Sequence, residues 1–540
     1  MKYSFDGLGT PSAEMVVYPY GGLPISMTPD KFPLRQIQIR NSISRPSTFQ
    51  VMLAPTSLLG TDTDITLPKL IPVRSLVLIY LGRGEHKYLA FIGLVTSIQE
   101  DQHWRSRAAE RRILIEGMDF TYFLSTFSYY TLTWLGSLAD LNVISSYKDI
   151  VSSMSTASLS PQDAGKKFYE QVFTPYLKLS QFWNNNSFIT VPDILESRFG
   201  GYRSNSDLYI PLLLSFLSSD GNWMQKFSQI FPHPLYETFV MTYEDKDAKN
   251  YPSTSSTGES FTLAGNTAKT GFIAREMPIP SLYIPGTDES QVTVDMDLWD
   301  ALNEYEIEDS RFIQSTVSNS IGNVRNLYKL DPYMLKAMLP GKGAQAVVSL
   351  LEAVKGIGAN LNSINRYGIM PEVFTTIWFS DDHKQTNSKN PKVTQDSIQA
   401  LAWAVLYKLQ SYYGPTPQLF NASVETPLAP DILPGNKFTY APFKGGDPWT
   451  FYIEECIHTI TFGGPSRTSF VLSRGLPKSS FSDTSFMTDL LLGNIIRKEG
   501  GYSYVSADER QTSFRTIGID NLLKFFNESL PMFRQAQGGK

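Results

Sequence analysis

Short runs in which polar and apolar side chains alternate, each closed by Gly, Pro or Ser, open this sequence and return towards its end. They set the narrowest limit on its fold. Gln36-Ile37-Gln38-Ile39-Arg40 alternates, and Thr48-Phe49-Gln50-Val51-Met52-Leu53 follows across a Ser/Pro turn. Successive side chains on a strand point to opposite faces, so one face of such a run is buried and the other is wet. Residues 73–80 and 88–98 are joined by Gly82-Arg83-Gly84-Glu85, a glycine-bearing hairpin connection. Arg112-Ile113-Leu114-Ile115-Glu116 reads as a further strand that stops at Gly117. Several short strands with turns between them favour a closed antiparallel barrel, which leaves no exposed edge. Asp119 is then placed to cap a helix carrying Phe120, Phe123 and Leu124.

The texture changes over residues 125–365. Ile144, Tyr147, Val151 and Met154 recur at helical spacing, and shorter helical patterns run over 168–173, 298–305 and 347–361. Tyr251-Pro252-Ser253-Thr254-Ser255-Ser256-Thr257-Gly258 has too little to bury and reads as a flexible loop, near 245–290. From Arg366 strands return, at 373–379, 418–424, 449–462 and 468–473. Between them lies a helix over 400–413, with Thr394 as cap and Ile398, Leu401, Ala402, Val405, Leu406 and Leu409 on one stripe. Gly414 and Pro415 end it. Residues 487–496 and 520–526 carry helical patterns. The expected class is α+β: antiparallel β-barrels at 1–124 and 366–477 flank a mixed, mostly helical insertion at 125–365, and a helical C-terminal extension covers 478–540.

At 540 residues the chain calls for two to four domains. A net charge of −5 gives no general affinity for nucleic acid or anionic membrane. Cys456 is the single cysteine, which excludes an internal disulfide and a multi-cysteine zinc site. The first residues carry no apolar core of signal-peptide length. The longest apolar stretches, 209–217 and 400–407, are shorter than the roughly 18 residues of a membrane span. Together these predict a chain that folds in a cytoplasm and stays soluble, with no membrane partner. An aromatic content of 13% suits either extensive subunit interfaces or a carbohydrate binder.

Motifs that carry chemistry are sparse. The histidines, His86, His103, His233, His383 and His458, form no HxxxH or HxH pair. On a regular strand Tyr452, Glu454, Cys456 and His458 share one face, and Phe451, Ile453 and Ile457 the other. Glu454 and His458 then lie about 13 Å apart and cannot share an ion, so His458 is expected to hydrogen-bond inside the barrel. No GxSxG, Walker A or GxGxxG pattern occurs. Leu339-Pro340-Gly341-Lys342-Gly343-Ala344 reads as a helix-entry turn, and Trp104-Arg105-Ser106-Arg107 as a solvated loop. Ile495-Ile496-Arg497-Lys498-Glu499-Gly500-Gly501-Tyr502 is similar to the start of a phage muramidase family whose general acid is the Glu of Glu-Gly-Gly-Tyr, a role Glu499 would hold. With Lys540 the last residue, about one third of a minimal domain remains, too little for a sugar cleft. Glu499 is therefore expected at a helix end capped by Gly500-Gly501. No catalytic, cofactor or metal residue is assigned, and no enzyme is expected.

The ordered features at both ends resemble the hub proteins of contractile tails, the group that includes phage late control protein D and the N-terminal half of the type VI secretion spike protein VgrG. The residues that carry the resemblance run in order. They begin with Phe91-Ile92-Gly93-Leu94-Val95-Thr96 and Glu116-Gly117-Met118-Asp119. Arg366-Tyr367-Gly368-Ile369 and the Tyr-Gly helix end come next, then Pro430-Asp431-Ile432-Leu433-Pro434-Gly435-Asn436-Lys437. Phe451-Tyr452-Ile453-Glu454-Glu455-Cys456-Ile457-His458 and Thr468-Ser469-Phe470-Val471-Leu472-Ser473-Arg474-Gly475 close the series. The resemblance spans about 36–124 and 366–477. It implies tail-tube-like barrels and a structural homotrimer at the centre of a virion tail baseplate, assembled in the host cytoplasm. Two barrels per chain would join a sixfold tube to a threefold spike. The implied partners are tube or distal tube protein, the central spike, tape-measure protein as a further candidate, and DNA in transit without sequence recognition. A tail-associated peptidoglycan hydrolase using Glu499 and a tail-tip carbohydrate-binding adhesin are the alternatives.

Overall fold

The computed structural model describes residues 10–19, 24–54, 70–83, 86–105, 108–126, 128–129, 208–209, 221–244, 261–263, 266–280, 282–285, 292–308, 311–319, 322–330, 355–375, 379–380, 391–443, 446–498, 501–504, 514–518 and 521–529. Among these, strands predominate. The first seven are β1 (Pro11–Tyr18), β2 (Ile25–Met27), β3 (Leu34–Ser42), β4 (Thr48–Leu53), β5 (Leu76–Arg83), β6 (His86–Arg105) and β7 (Ala108–Met118). Alternation does what the sequence promises. Met15 and Val17 on β1, Ile37 and Ile39 on β3, and Phe49, Val51 and Leu53 on β4 all enter one core. Burying each such side chain contributes roughly 1.5–3 kcal/mol.

Gly117 does not stop its strand. β7 continues to Met118, and Gly117 lies where a Cβ would meet the Leu94 carbonyl and the Phe49 ring. The hairpin between β5 and β6 forms with Arg83 opposite His86, and its tip residues 84–85 lie outside the described residues. Asp119 caps as expected: its Oδ1 accepts the Thr121 N–H (2.9 Å) at the start of α1 (Thr121–Thr126).

The second β unit contains β8 (Phe420–Pro427), β9 (Lys437–Tyr440), β10 (Trp449–Thr461) and β11 (Arg467–Pro477). Strands Glu304–Glu306 and Gln314–Ser318, inside the span expected to be insertion, join it beside β9 and β8. The two units are not separate sheets. They form one 13-stranded sheet in which β10 pairs with β3 along Glu455–Thr461 and with β9 along Trp449–Tyr452. Two cores lie along this sheet. One holds β1, β3, β4 and β5 side chains together with Leu428 and Ile460; the other holds Phe438, Phe451, Ile453, Cys456, Phe470 and Leu472.

A mostly helical insertion is corrected for the described residues between 125 and 365, which are mostly strand. Tyr236–Glu244 and Asn266–Glu276 pair as an antiparallel hairpin rich in Thr, Val, Phe and Tyr, residue types that fit a pleated surface. The second of these strands, with Leu282–Pro285, also replaces part of the loop expected near 245–290. The pattern over 298–305 resolves into a one-turn helix, Asp297–Asp300, and the strand Glu304–Glu306. The helical patterns at 144–154 and 168–173, the loop 251–258, residues 347–354 and the turn at 339–344 lie outside the described residues. The rest of the pattern over 347–361 is corrected, since Ile357–Asn360 is a strand, and so is the loop expected at Trp104-Arg105, which end β6 opposite Ala109 and Ala108.

Helix α2 (Pro391–Tyr413) starts earlier than expected, with Thr394 inside it and Pro391 at its first position, where a missing N–H costs nothing. It ends where predicted, the Gly414 N–H bonding back to the Gln410 carbonyl. In the C-terminal extension Thr484–Leu491 and Leu522–Ser529 are helical, but Ile495–Lys498 pairs with Gly501–Tyr504 as a strand ladder. Gly493, at φ 76°, ends the helix, and the β-branched pair Ile495-Ile496 favours the strand. A helix end at Glu499 is thereby corrected; Glu499 and Gly500 themselves lie outside the described residues.

Candidate functional site

The site grows from two breaks in the β10–β11 ladder. Pairing runs Ile453 opposite Leu472, then Glu455 opposite Val471, so Glu454 is the extra residue of a bulge. A second irregularity, between Thr450 and Tyr452, leaves Arg474 beside it, at φ 58°. A non-glycine residue in the left-handed region costs on the order of 1–3 kcal/mol and persists only where its surroundings hold it. Bulges also re-aim side chains. The bulge corrects the expected strand faces: Cys456 joins Phe451 and Ile453 in the second core instead of following Tyr452.

Arg474 is buried and well supplied with partners. One Nη donates to the Pro278 carbonyl (2.6 Å), Glu454 lies 3.6 Å away, and the guanidinium sits 4.2 Å from the centre of the Tyr452 ring. Glu454 also accepts the Ser473 hydroxyl (2.6 Å).

On the other side of Tyr452 is a second buried pair. Arg275 Nε donates to Glu237 (2.5 Å), and these two residues are direct cross-strand partners in the insertion hairpin. The Tyr452 hydroxyl donates to Glu237 (2.7 Å), while Arg275 donates to that hydroxyl (3.0 Å) and to the Gly435 carbonyl (2.9 Å). A third ion pair, Lys408 to Glu276 (3.0 Å), ties α2 to the same hairpin. Buried charges persist only when paired and hydrogen-bonded, and here the bonds from the Arg275–Glu237 pair to Tyr452 and to the Gly435 carbonyl fix the insertion to the sheet.

Glu454, Ser473 and Arg474 form one wall of a cavity of about 270 Å³. Tyr412 and Tyr413 at the end of α2, Asn323 and Arg325 from the loop before strand Leu327–Leu330, and His233 from the insertion also line it. Arg325 is paired with Glu372 (3.0 Å). The His233 ring packs edge-on against Tyr412, and desolvation there, with the Arg474 cation nearby, lowers its pKa and leaves it neutral.

The expected site residues fall as follows. His458 is fully buried, shares a 3.0 Å hydrogen bond between its Nδ1 and the Thr468 hydroxyl, and is pushed down to about 4 by burial. Burial, with Glu455 beside it, raises the Cys456 thiol and removes it as a nucleophile at neutral pH. His383 lies outside the described residues, as do the side chains of His86 and His103. No group of three or more His, Cys, Asp or Glu that could hold a metal occurs among the described residues. Sequence reasoning missed Arg474, Arg275 and Glu237. A charge inside each apolar strand pattern was the available signal.

No protein-family model matches the sequence, and no curated protein matches it significantly. Among solved structures the chain is similar to phage tail proteins and to a secretion-system component. One is the tail protein from Neisseria meningitidis MC58, at 10% identity over 86% of this chain and 96% of that one, with a TM-score of 0.41. Another is the 43 kDa tail protein of prophage MuSo2 from Shewanella oneidensis, at 9% identity over 87% and 99%, TM-score 0.39. A third is the E. coli c3393 protein, a component of the type VI secretion system, at 6% identity over 83% and 75%, TM-score 0.35. All three TM-scores lie below 0.5, so the function is argued from the chain's own residues.

Proposed function

We propose that this chain is a structural, non-enzymatic subunit of a virion tail baseplate: a trimeric central hub that joins a sixfold tube to a threefold spike and lines the channel through which DNA leaves. The observation that carries this is β10, one strand that serves two β-rich cores built from the opposite ends of the chain. If the two β-rich units held side by side in one chain are alike in shape, three copies present six near-equivalent walls around an axis. The Tyr452 hydroxyl, bonded to the buried Glu237–Arg275 pair, would hold the insertion hairpin against β10 and keep both walls in register. The motif order at 36–124 and 366–477 supports the same reading. A net charge of −5 suits a channel that passes a polyanion without holding it.

Size-exclusion chromatography with light scattering on the purified chain, together with electron microscopy of virion tails, tests the proposal. A mass of three chains, and density for three copies where tube meets spike, is the expected result. A stable monomer that is absent from tails would overturn it.

A further inference from the structure

We propose that the cavity beside the two bulges is a binding site for a neutral polyhydroxyl ligand, a single saccharide unit. The proposal stands apart from the assembly role and concerns this cavity alone. Four separate parts of the chain build it: His233 and Ile279 from the segments that flank the insertion hairpin, the loop before Leu327–Leu330, the end of α2 with the start of β8, and the bulged pair Glu454 and Arg474. Both bulged residues line it, and Arg474 holds a left-handed backbone to do so. Bulges and strained backbone cluster at functional sites, and here both converge on one concavity.

Charge selects the ligand class. Each guanidinium that reaches the cavity already faces a carboxylate, Arg325 with Glu372 and Arg474 with Glu454, and His233 is neutral. An anion would have to break one of these pairs, and a cation would meet an arginine. A neutral ligand with many hydroxyls meets both donors and acceptors without disturbing either pair. Asn323 and Asn421, both exposed, add amides that give and receive hydrogen bonds. The tyrosine rings, with Ile279 and Leu419, supply the apolar surface against which the C–H face of a sugar ring packs. The volume, about 270 Å³, is close to the lower end of the ~300–1,000 Å³ found for small-ligand pockets and suits one ring.

Saturation-transfer NMR on the full chain, with glucose, galactose, N-acetylglucosamine and rhamnose each at millimolar concentration, tests this. Saturation of at least one sugar is expected, and inorganic phosphate should not displace it. Asn323→Ala and Asn421→Ala remove exposed side chains, so the fold should persist by circular dichroism. Each is expected to weaken binding about fivefold to tenfold, the loss of one or two hydrogen bonds. Tyr413→Ala should abolish the signal. No saturation of any of the four sugars, displacement by phosphate, or binding unchanged in both asparagine variants would overturn the proposal.

Discussion

Two buried titratable side chains pull stability in opposite directions. Asp119 accepts N–H bonds from Thr121 and Ser47, yet burial outweighs them and lifts its pKa to about 6. An acid whose folded pKa is raised holds its proton more tightly when folded. Its contribution is complete below about pH 4 and disappears as pH rises through 6, a swing of about 3 kcal/mol. His458 does the reverse. Neutral when folded and near 4 rather than about 6.5, it contributes stability above pH 6.5 that is lost, again by about 3 kcal/mol, as pH falls through 4. Urea unfolding of the wild type and of Asp119→Asn across pH 4–7 should give a wild-type advantage that shrinks with rising pH. For His458→Gln the same difference should grow with rising pH. A pH-independent difference for either variant would contradict the assigned burial. Asp119 was legible as a cap because it stands just ahead of the helical pattern, two residues before Thr121. Its burial was not, since the second N–H comes from Ser47, 72 residues upstream.

At the scale of elements, the insertion hairpin is held to β10 through Arg275, Glu237 and Tyr452. Removing one member leaves a buried charge without its partner, so Glu237→Gln should lower the unfolding free energy by about 3–5 kcal/mol. Replacing both charges, as Glu237→Met with Arg275→Met, should recover most of that loss in a double-mutant cycle. If the double variant is no more stable than the single one, the loss in the single variant does not come from leaving a buried charge unpaired. Gly475 marks another close approach, where a Cβ would run into the Phe451 ring. Gly475→Ala should therefore cost more than the ~1 kcal/mol typical of a point substitution, read as a lower urea midpoint. The strands of both ends were legible from their alternation, and α2 from its stripe and its Gly-Pro stop. The bulge at Glu454 was not, because a bulge is a relation between two strands and each strand alone still alternates. Glu237 and Arg275 become partners only once strands some 30 residues apart are paired, and the spacing between them carries no signal of register.

Across the whole molecule, the sequence divides into two β-rich ends while the structure joins them in one sheet. Alternation specifies which face of a strand is buried but not which strand lies beside it, so nothing in residues 36–40 foretells Thr461 opposite Gln36 or His458 opposite Ile39. The joining has a thermodynamic consequence. β10 contributes Phe451, Ile453 and Cys456 to one core and Ile460 to the other, so neither core can open without stripping a wall from its neighbour. Independent units would open with separate free energies, whereas units sharing a central strand should open together. Cys456, the single cysteine, reports on the second core because a thiol reagent reaches it only on opening. Amide hydrogen exchange at Phe49 and Val51 reports on the first. In rising urea below the unfolding midpoint, labelling of Cys456 and exchange at Val51 should yield the same opening free energy with the same urea dependence. A second core that becomes reactive while Val51 stays protected would mean that β10 splits between two independent units, and would remove the fixed relation between the two cores on which the proposed hub rests.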